Sequence, residues 1–331
     1  MTTNTTTGSA YADESYAINA RDVHFEWDGM PLHYIPGHPF AVHMFNAMHL
    51  VLPEGERAMA AALADALPLV DDERLAEEMR GFIGQEITHA DSHRGAREYL
   101  ATLGLDSETT ARKMEWMVDR VLGYSSLKGR ARRAWLSERL GLFAAMEHYT
   151  AVVGEWFLTD GGLERLGTHP EMLDLLKWHG AEEVEHRCVV FDAYQYVDGS
   201  YARRVRTAVV ASAMLAVLFF STARNLYNSD PELPDDRPHW IRAFLGSVRA
   251  GALPSARFFV TELPVYIRRD FDPSTTGDMD AAVSYLASSR AVHRNEERAA
   301  EEQLARTGAG ITGDAATDAT ATARHARGEI A

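Results

Sequence analysis

Apolar residues recur at helical spacing along most of the chain, and the alternation typical of strands is nearly absent. We therefore predict an all-α protein. Four segments of the first half carry the pattern most clearly and are bounded by proline, glycine or capping residues. The first segment begins after Pro39, the second spans 72–103, the third spans 131–158, and the fourth runs from Pro170 to about residue 197. A further helix is predicted over 109–124.

The first of these helices is expected to break before Glu56. Pro53, Glu54 and Gly55 follow one another there, and a proline removes one backbone donor from a helix. Breaks of this kind often mark functional sites. Between Val23 and Pro39, aromatic residues alternate with proline and glycine, which favours an extended segment that wraps the bundle.

The second half contains seventeen residues without a charge, 207–223, between two arginine-bearing flanks. A membrane helix usually needs about 20 apolar residues, so a buried helix or a dimer face is the favoured reading and membrane contact is the alternative. The pattern then predicts a helical pair over 239–271, separated near Pro254 and Pro264. A polar terminal helix is predicted over 281–303.

Both ends of the chain are polar and poor in large apolar residues. Such segments bury too little apolar surface to offset the entropy of ordering, so we expect disorder at 1–15 and 306–331. Between them we predict one helical domain, 16–305. Its ligand-bearing helices would span about 40–198, and additional covering helices would span about 203–303.

Composition narrows the function. A net charge of -15 argues against a nucleic-acid partner, which needs a basic face. The single cysteine, Cys188, excludes an internal disulfide or a thiolate metal cage, and we interpret it as a small buried thiol. The first sixteen residues have no apolar signal-peptide core. We therefore expect a cytoplasmic protein, with membrane association left open.

Two copies of the motif Glu-x-x-His carry the candidate chemistry. Glu86 precedes His89 by three residues, and Glu183 precedes His186 by three, so each pair shares one helix face. A single copy means little. Glu56 precedes the first copy, and Glu147 lies between the two copies. The order along the chain is therefore Glu, Glu-x-x-His, Glu, Glu-x-x-His, which is typical of a di-metal site in a ferritin-like four-helix bundle. We predict this fold with additional C-terminal helices: the metal ligands would be Glu56, Glu86, His89, Glu147, Glu183 and His186.

In this assignment Glu86 and Glu183 bridge two ions, while His89 and His186 each bind one. Two ions of this kind lie about 3.5 to 4 Å apart. Oxygen-rich ligands suit iron or manganese better than structural zinc. We therefore predict two iron ions, with manganese as an alternative and zinc if the enzyme is a hydrolase.

Neighbouring residues leave part of the ligand set open. Glu54 competes with Glu56, and Glu182 competes with Glu183, although only Glu183 lies three residues before a histidine. His93 and His179 also fall at helical spacing from the motifs. They are either additional ligands or partners that orient the ligands.

We interpret three other histidines, His43, His49 and His148, as ordinary core or capping residues. Alternatively, His43 and Asn46 line the mouth of a pocket. We predict no catalytic group beyond the metal site.

The chain resembles a bacterial family described as predicted metal-dependent hydrolases. The resemblance covers roughly Trp27 to Phe271, and His49 departs from it at a position where a small hydroxyl residue is expected. The motifs that carry it are His43-x-x-Asn46, Pro53-Glu54-Gly55-Glu56-Arg57, Phe82-Ile83-Gly84-Gln85-Glu86 with His89 and His93, Ala145-Met146-Glu147-His148, and Trp178-His179-x-x-Glu182-Glu183-x-Glu185-His186.

The family description implies hydrolysis, whereas the ligand pattern resembles that of di-iron oxygenases. Our leading hypothesis is a di-iron enzyme that uses dioxygen for hydroxylation, desaturation or N-oxygenation of a small organic or lipid-like substrate. A separate ferredoxin or reductase would supply electrons, because the chain has no cysteine cluster or dinucleotide fingerprint.

The alternative is hydrolysis by a metal-activated water. Iron storage or metal handling is a third class, disfavoured because the chain beyond Val197 would obstruct a storage cage. A homodimer is the default expectation.

Overall fold

A computed structural model describes residues 18–21, 23–123 and 127–298, with only the backbone described at residues 256 and 259. The expected disorder at 1–15 and 306–331 concerns residues outside this described part. All regular elements within it are helical, which confirms the all-α class. They include α1 (Pro39–Ala66), α2 (Glu73–Thr102), α3 (Ser107–Met117), α4 (Gly129–Thr159), α5 (Gly162–Arg165), α6 (Pro170–His186), α7 (Val189–Val197), α8 (Tyr201–Ser229), α9 (Trp240–Ala250), α10 (Ala256–Tyr266) and α11 (Met279–Leu286).

Several helix starts follow from local side chains. Asp72 accepts a hydrogen bond from the Leu75 amide at the start of α2, and Ser200 caps α8 through the Arg203 amide. A cap of this kind is worth about 1 kcal/mol. α1 and α6 instead begin with proline at the first turn, where the missing amide would have no helical partner anyway.

Four long helices form the bundle that positions the site. α1 packs on α2, α4 packs on α6, and α8 lies across α1 and α4. The backbones of α4 and α6 touch, because a Cβ added at Gly154 would lie 2.3 Å from the Gly180 carbonyl oxygen. This arrangement is compatible with a ferritin-like bundle followed by additional helices.

The predicted break before Glu56 is wrong. α1 continues through Pro53 to Ala66, and Pro53 itself is buried. A proline costs the helix one backbone hydrogen bond, whereas the buried residues Leu52, Met59 and Leu63 hold both sides of it in the core. Glu56 therefore lies in the middle of a continuous helix.

Two further boundaries also differ from the predictions. Pro264 lies inside α10 and does not separate two helices. The predicted helix over 281–303 ends at Leu286, and helix resumes at residues 290–298. Buried Asp174 of α6 accepts hydrogen bonds from the Ser289 hydroxyl and the Ala291 amide, which fixes the chain at this break. Residues 299–303 lie outside the described part.

The segment before α1 contributes to the core. Val23, Phe25 and Ile35 are buried, and the Tyr34 hydroxyl bonds to the Val42 carbonyl oxygen and to Asn46 of α1. Residues 23–38 contain no helix, so buried apolar side chains and the Tyr34 hydrogen bonds attach them to the bundle.

α8 is buried on one side only. Thr207, Ala208 and Ala211 are buried against the bundle, whereas Val210 and Val217 are exposed. By length and composition α8 is the one described helix that could cross a membrane. Only 22% of its most apolar window is buried, so most of this window is not part of the core. The favoured prediction, a buried helix, therefore applies only to the face of α8 that carries Thr207, Ala208 and Ala211.

Candidate metal centre

All four bundle helices place ionisable side chains in the interior. α1 provides Glu56, α4 provides Glu147, and α2 and α6 each provide one Glu-x-x-His pair. The most exposed of these six side chains, Glu56, is only 4% exposed. Charged groups are almost never buried so fully unless they are paired or bind a metal.

One group of four ligand atoms comes from the two motifs. Glu86, His89, Glu183 and His186 each offer one atom, and these atoms lie within 4.8 Å of one another. Two ligand atoms on opposite sides of an ion, with bonds of about 2.0–2.2 Å, lie about 4.2 Å apart. The group therefore has the dimensions of a single ion site.

A second group overlaps the first. Glu56, His89 and His179 also offer atoms within 4.8 Å of one another. His179 Nε2 lies 2.9 Å from Glu183 Oε1, and His93 Nε2 lies 3.3 Å from Glu56 Oε1. The structure thus places His179 between the two groups, and His93 at the Glu56 side.

Glu147 reaches the cluster from the opposite side. Its Oε1 lies 2.6 Å from His186 Nδ1, while His186 Nε2 lies 3.6 Å from Glu86 Oε1. Phe82 packs edge-on against the His186 ring, and Trp178 packs edge-on against His89. Aromatic core residues therefore hold the two motif histidines in place.

The donor set fits bound cations. Both oxygens of Glu56 and of Glu86 are buried without a hydrogen-bond partner among the described residues, as are Glu147 Oε2 and Glu183 Oε2. Burial raises the pKa of Glu86 to about 8 and that of Glu56 to about 7. Positive charge placed among these oxygens would offset the cost of burying them as carboxylates.

Glu182 supports the cluster from outside. Its Oε2 lies 3.0 Å from His89 Nε2, and its Oε1 accepts hydrogen bonds from Trp178 Nε1 and Arg21 Nη1. This contact holds the other ring nitrogen, Nδ1, toward Glu86 and Glu183. Carboxylates that orient a ligand histidine in this way also raise its basicity.

We expect Glu182→Gln to weaken metal affinity by about 10- to 100-fold without changing the number of bound ions, because His89 loses its orienting carboxylate. Competition with a chromogenic chelator measures this. Glu185→Gln is the matched control: Glu185 also bonds Arg21 but makes no hydrogen bond to His89 among the described residues. Equal losses in both variants would mean that Arg21, and not the His89 contact, carries the effect.

Arg21 has no counterpart in the sequence predictions. It joins Glu182 and Glu185 from the segment before α1, more than 160 residues away. No local motif marks it, since its partners are set only by the tertiary fold.

Other candidate residues lie apart from the cluster. Glu54 lies two residues before Glu56, on another side of α1, and accepts a hydrogen bond from Arg57. His43 and His33 both contact Asp230 Oδ2 at 2.7 Å, a group that the sequence did not predict. Asn46 bonds Tyr34; neither it nor His43 lines the cavities described below.

Two more predictions concern residues outside the predicted ligand set. His49 Nδ1 lies 2.9 Å from His93 Nδ1, and His148 Nε2 lies 3.2 Å from Glu262. Cys188 is half-buried, and burial raises the pKa of its thiol to about 12. A thiol that stays protonated is unreactive.

An apolar cavity of about 310 Å³ adjoins the cluster at His179 and Gly180. A smaller space of about 30 Å³ reaches Glu56, Glu86, Glu147 and Glu183 themselves. The two share the lining residues Leu52, Met146, Thr150 and Leu215. Together they give the cluster an apolar approach.

Comparisons with known proteins bear on this centre. The family model described as "Predicted metal-dependent hydrolase" matches residues 19–277, which confirms the resemblance stated from the motifs. Comparisons with curated proteins and with solved structures each give no significant match. The matched range contains the whole cluster and the residues that line both cavities.

Proposed function

The chain belongs to the family of predicted metal-dependent hydrolases, and from this premise we propose that it is an enzyme with a two-metal centre between α1, α2, α4 and α6. One observation carries the proposal: carboxylate oxygens and imidazole nitrogens from four helices converge in the buried interior, and many of them lack a partner among the described residues. Buried carboxylates that lack hydrogen bonds in this number are costly to keep ionised unless cations bind there.

The positions of the side chains suggest their roles. Glu183 Oε1 lies 2.9 Å from His179 Nε2 and 3.7 Å from His89 Nδ1. Glu86 Oε1 lies 3.5 Å from His89 Nδ1 and 3.6 Å from His186 Nε2. Each carboxylate thus lies between two histidines, as a bridging ligand would. Glu147 and His186 lie together at one end, and Glu56 and His179 lie at the other. His89 contacts both ends. His93 and His49 extend the Glu56 end.

Hydrolysis is the reaction that the family description favours, and it is the alternative of the sequence analysis. Two bound ions lower the pKa of a shared water and polarise a carbonyl or phosphoryl group. In this protein Glu147 Oε2 is unpartnered and its side chain lines the smaller cavity. It can accept the proton that the attacking water releases and return it to the leaving group, so that one water is consumed and one bond of the substrate is cleaved.

Oxidation with dioxygen is the second candidate, and the composition of the donor set favours it. Four carboxylates with two to four imidazoles suit iron or manganese better than zinc. The approach to the cluster is apolar, which suits an unactivated hydrocarbon substrate. Electrons would come from a separate ferredoxin or reductase.

Metal analysis of protein purified without added metal tests the centre, with Glu147→Ala and His186→Ala measured beside it. We expect about two ions per wild-type chain and fewer in both variants. Hydrolysis of chromogenic esters and dioxygen uptake after chemical reduction then separate the two reactions. Zinc or manganese with ester cleavage supports hydrolysis, whereas iron with dioxygen uptake supports oxidation. Wild-type protein that binds no metal after metal addition would overturn the proposal.

A further inference from the structure

α8 packs against both α9 and α10, and all three helices carry exposed apolar residues. Val217 of α8 is 66% exposed and Val260 of α10 is 73% exposed, and Ile241 and Leu245 of α9 are also exposed. Isolated exposed apolar residues are common on protein surfaces. Here they occur on three consecutive helices, which is typical of an interaction surface.

The same helices differ in charge from the rest of the protein. α8, α9 and α10 contain seven arginines and one acidic residue, Glu262, whereas the whole chain has 48 acidic and 33 basic residues. Two of the seven, Arg203 and Arg206, pair with Glu138. Arg224, Arg242, Arg249 and Arg257 are exposed, without an ion pair among the described residues. The acidic residues nearest in sequence are Asp198, which pairs with Arg203, those of the connection between α8 and α9, and Glu262, which contacts His148. The face is therefore cationic on an anionic protein.

The larger cavity opens on this face. Val260 lines the cavity while it is itself exposed, and Phe219, Phe220 and Phe244 of α8 and α9 line it further in. The cavity ends at His179 beside the metal centre. Two of its polar lining residues, Tyr149 and Ser212, bond to each other at 2.9 Å. Their hydroxyl groups are therefore already engaged, and the cavity favours an apolar ligand over a polar one.

We propose that α8, α9 and α10 dock on an anionic lipid bilayer and that the cavity admits the aliphatic chain of a lipid from that bilayer. The choice of substrate rests on the proposed two-metal centre, whereas the docking does not. Exposed apolar side chains would enter the interface, and the four arginines would contact anionic headgroups. A cavity of about 310 Å³ falls within the range of about 300–1,000 Å³ that is usual for ligand pockets.

Two features favour a bilayer over a second copy of this chain. A dimer through the same face would bring arginines of both copies together, and it would close the cavity mouth. A bilayer instead supplies the opposite charge and a ligand for the cavity. α8 would lie at the surface and not cross the membrane, because Thr207, Ala208 and Ala211 pack on the bundle.

Vesicle flotation of the full-length, metal-loaded protein tests the docking. We expect binding to vesicles of phosphatidylcholine mixed with phosphatidylglycerol, weaker binding at high salt, and little binding to phosphatidylcholine alone. Each change among Arg242→Gln, Arg249→Gln and Arg257→Gln should weaken binding roughly fivefold. Val217→Glu combined with Val260→Glu should abolish it. Ile87→Glu is the control, because Ile87 is 51% exposed on α2, away from the face.

Three results would overturn the docking proposal: no binding of wild-type protein to anionic vesicles, unchanged binding of the double glutamate variant, or a dimer in solution that the same variant converts to a monomer. Metal content measured on the same samples keeps the two proposals apart. Docking variants should retain their metal. If the protein binds vesicles but no metal, the docking proposal is supported and the proposed two-metal enzyme is contradicted.

Discussion

Glu56→Gln is expected to lose at least one of the two bound metal ions, whereas Glu54→Gln is expected to retain both. The two residues lie two positions apart on α1, so the variants share chemistry, helix and neighbourhood in sequence. Glu56 is buried, and neither of its oxygens makes a hydrogen bond among the described residues, although Oε1 lies 3.3 Å from His93 Nε2. Glu54 is partly exposed and bonds Arg57. Metal content after gel filtration measures the difference.

Stability should respond in opposite directions in the metal-free and metal-loaded states. Burial raises the pKa of Glu56 to about 7, so without metal this carboxyl is costly to keep ionised at neutral pH. Its replacement by neutral glutamine should leave the melting temperature of chelated protein unchanged or higher. Metal should raise the melting temperature of wild type, because an ion that binds only the folded state stabilises it in proportion to the logarithm of its concentration.

The comparison of Glu56→Gln with Glu54→Gln can also contradict the assignment of Glu56 as a metal ligand. If Glu56→Gln keeps both ions and shows the full metal-dependent increase in melting temperature, α1 takes no part in the centre. The ions would then be held by α2, α4 and α6 alone. If Glu54→Gln loses metal to the same extent, the loss comes from damage to α1 and not from a missing ligand.

Local features of the chain allowed much of the fold to be predicted. Helical periodicity is a property of neighbouring residues, so the all-α class and most helices followed from it. The spacing of Glu86 and His89, and of Glu183 and His186, put each pair on one helix face for the same reason. Pro53 misled the prediction because its cost is local and small, while the packing that retains the helix around it is tertiary.

Features that depend on distant contacts were out of reach. Arg21 meets Glu182 only because the segment before α1 folds back along α6. The position of His179 depends on the close approach of α4 and α6 at Gly154 and Gly180. Likewise, the sequence suggested membrane contact through 207–223 only as an alternative, since the larger cavity is lined by residues of α1, α4, α6, α8, α9 and α10 that only the tertiary fold brings together. The roles assigned to individual ligands stay predictions.

Leu215→Trp is expected to abolish the binding of long aliphatic chains while metal content stays at the wild-type level. Leu215 of α8 lines both the larger cavity and the smaller space at the carboxylates. An indole there would fill the passage between them, and a well-packed interior has little room to relax around added atoms. Titration of a fluorescent long-chain fatty acid into metal-loaded protein measures the effect, which should be at least about tenfold for a blocked pocket.

Two companion variants on the same helix make the result specific. Ala213→Trp places the same side chain on the exposed side of α8, where it lines neither cavity. It should leave fatty-acid binding unchanged and strengthen vesicle binding, because tryptophan favours the membrane interface. Leu215→Ala enlarges the passage and should preserve binding. Unchanged fatty-acid affinity in Leu215→Trp would show that aliphatic chains do not use this route. It would contradict the proposal of a lipid substrate but not the proposal of a two-metal centre.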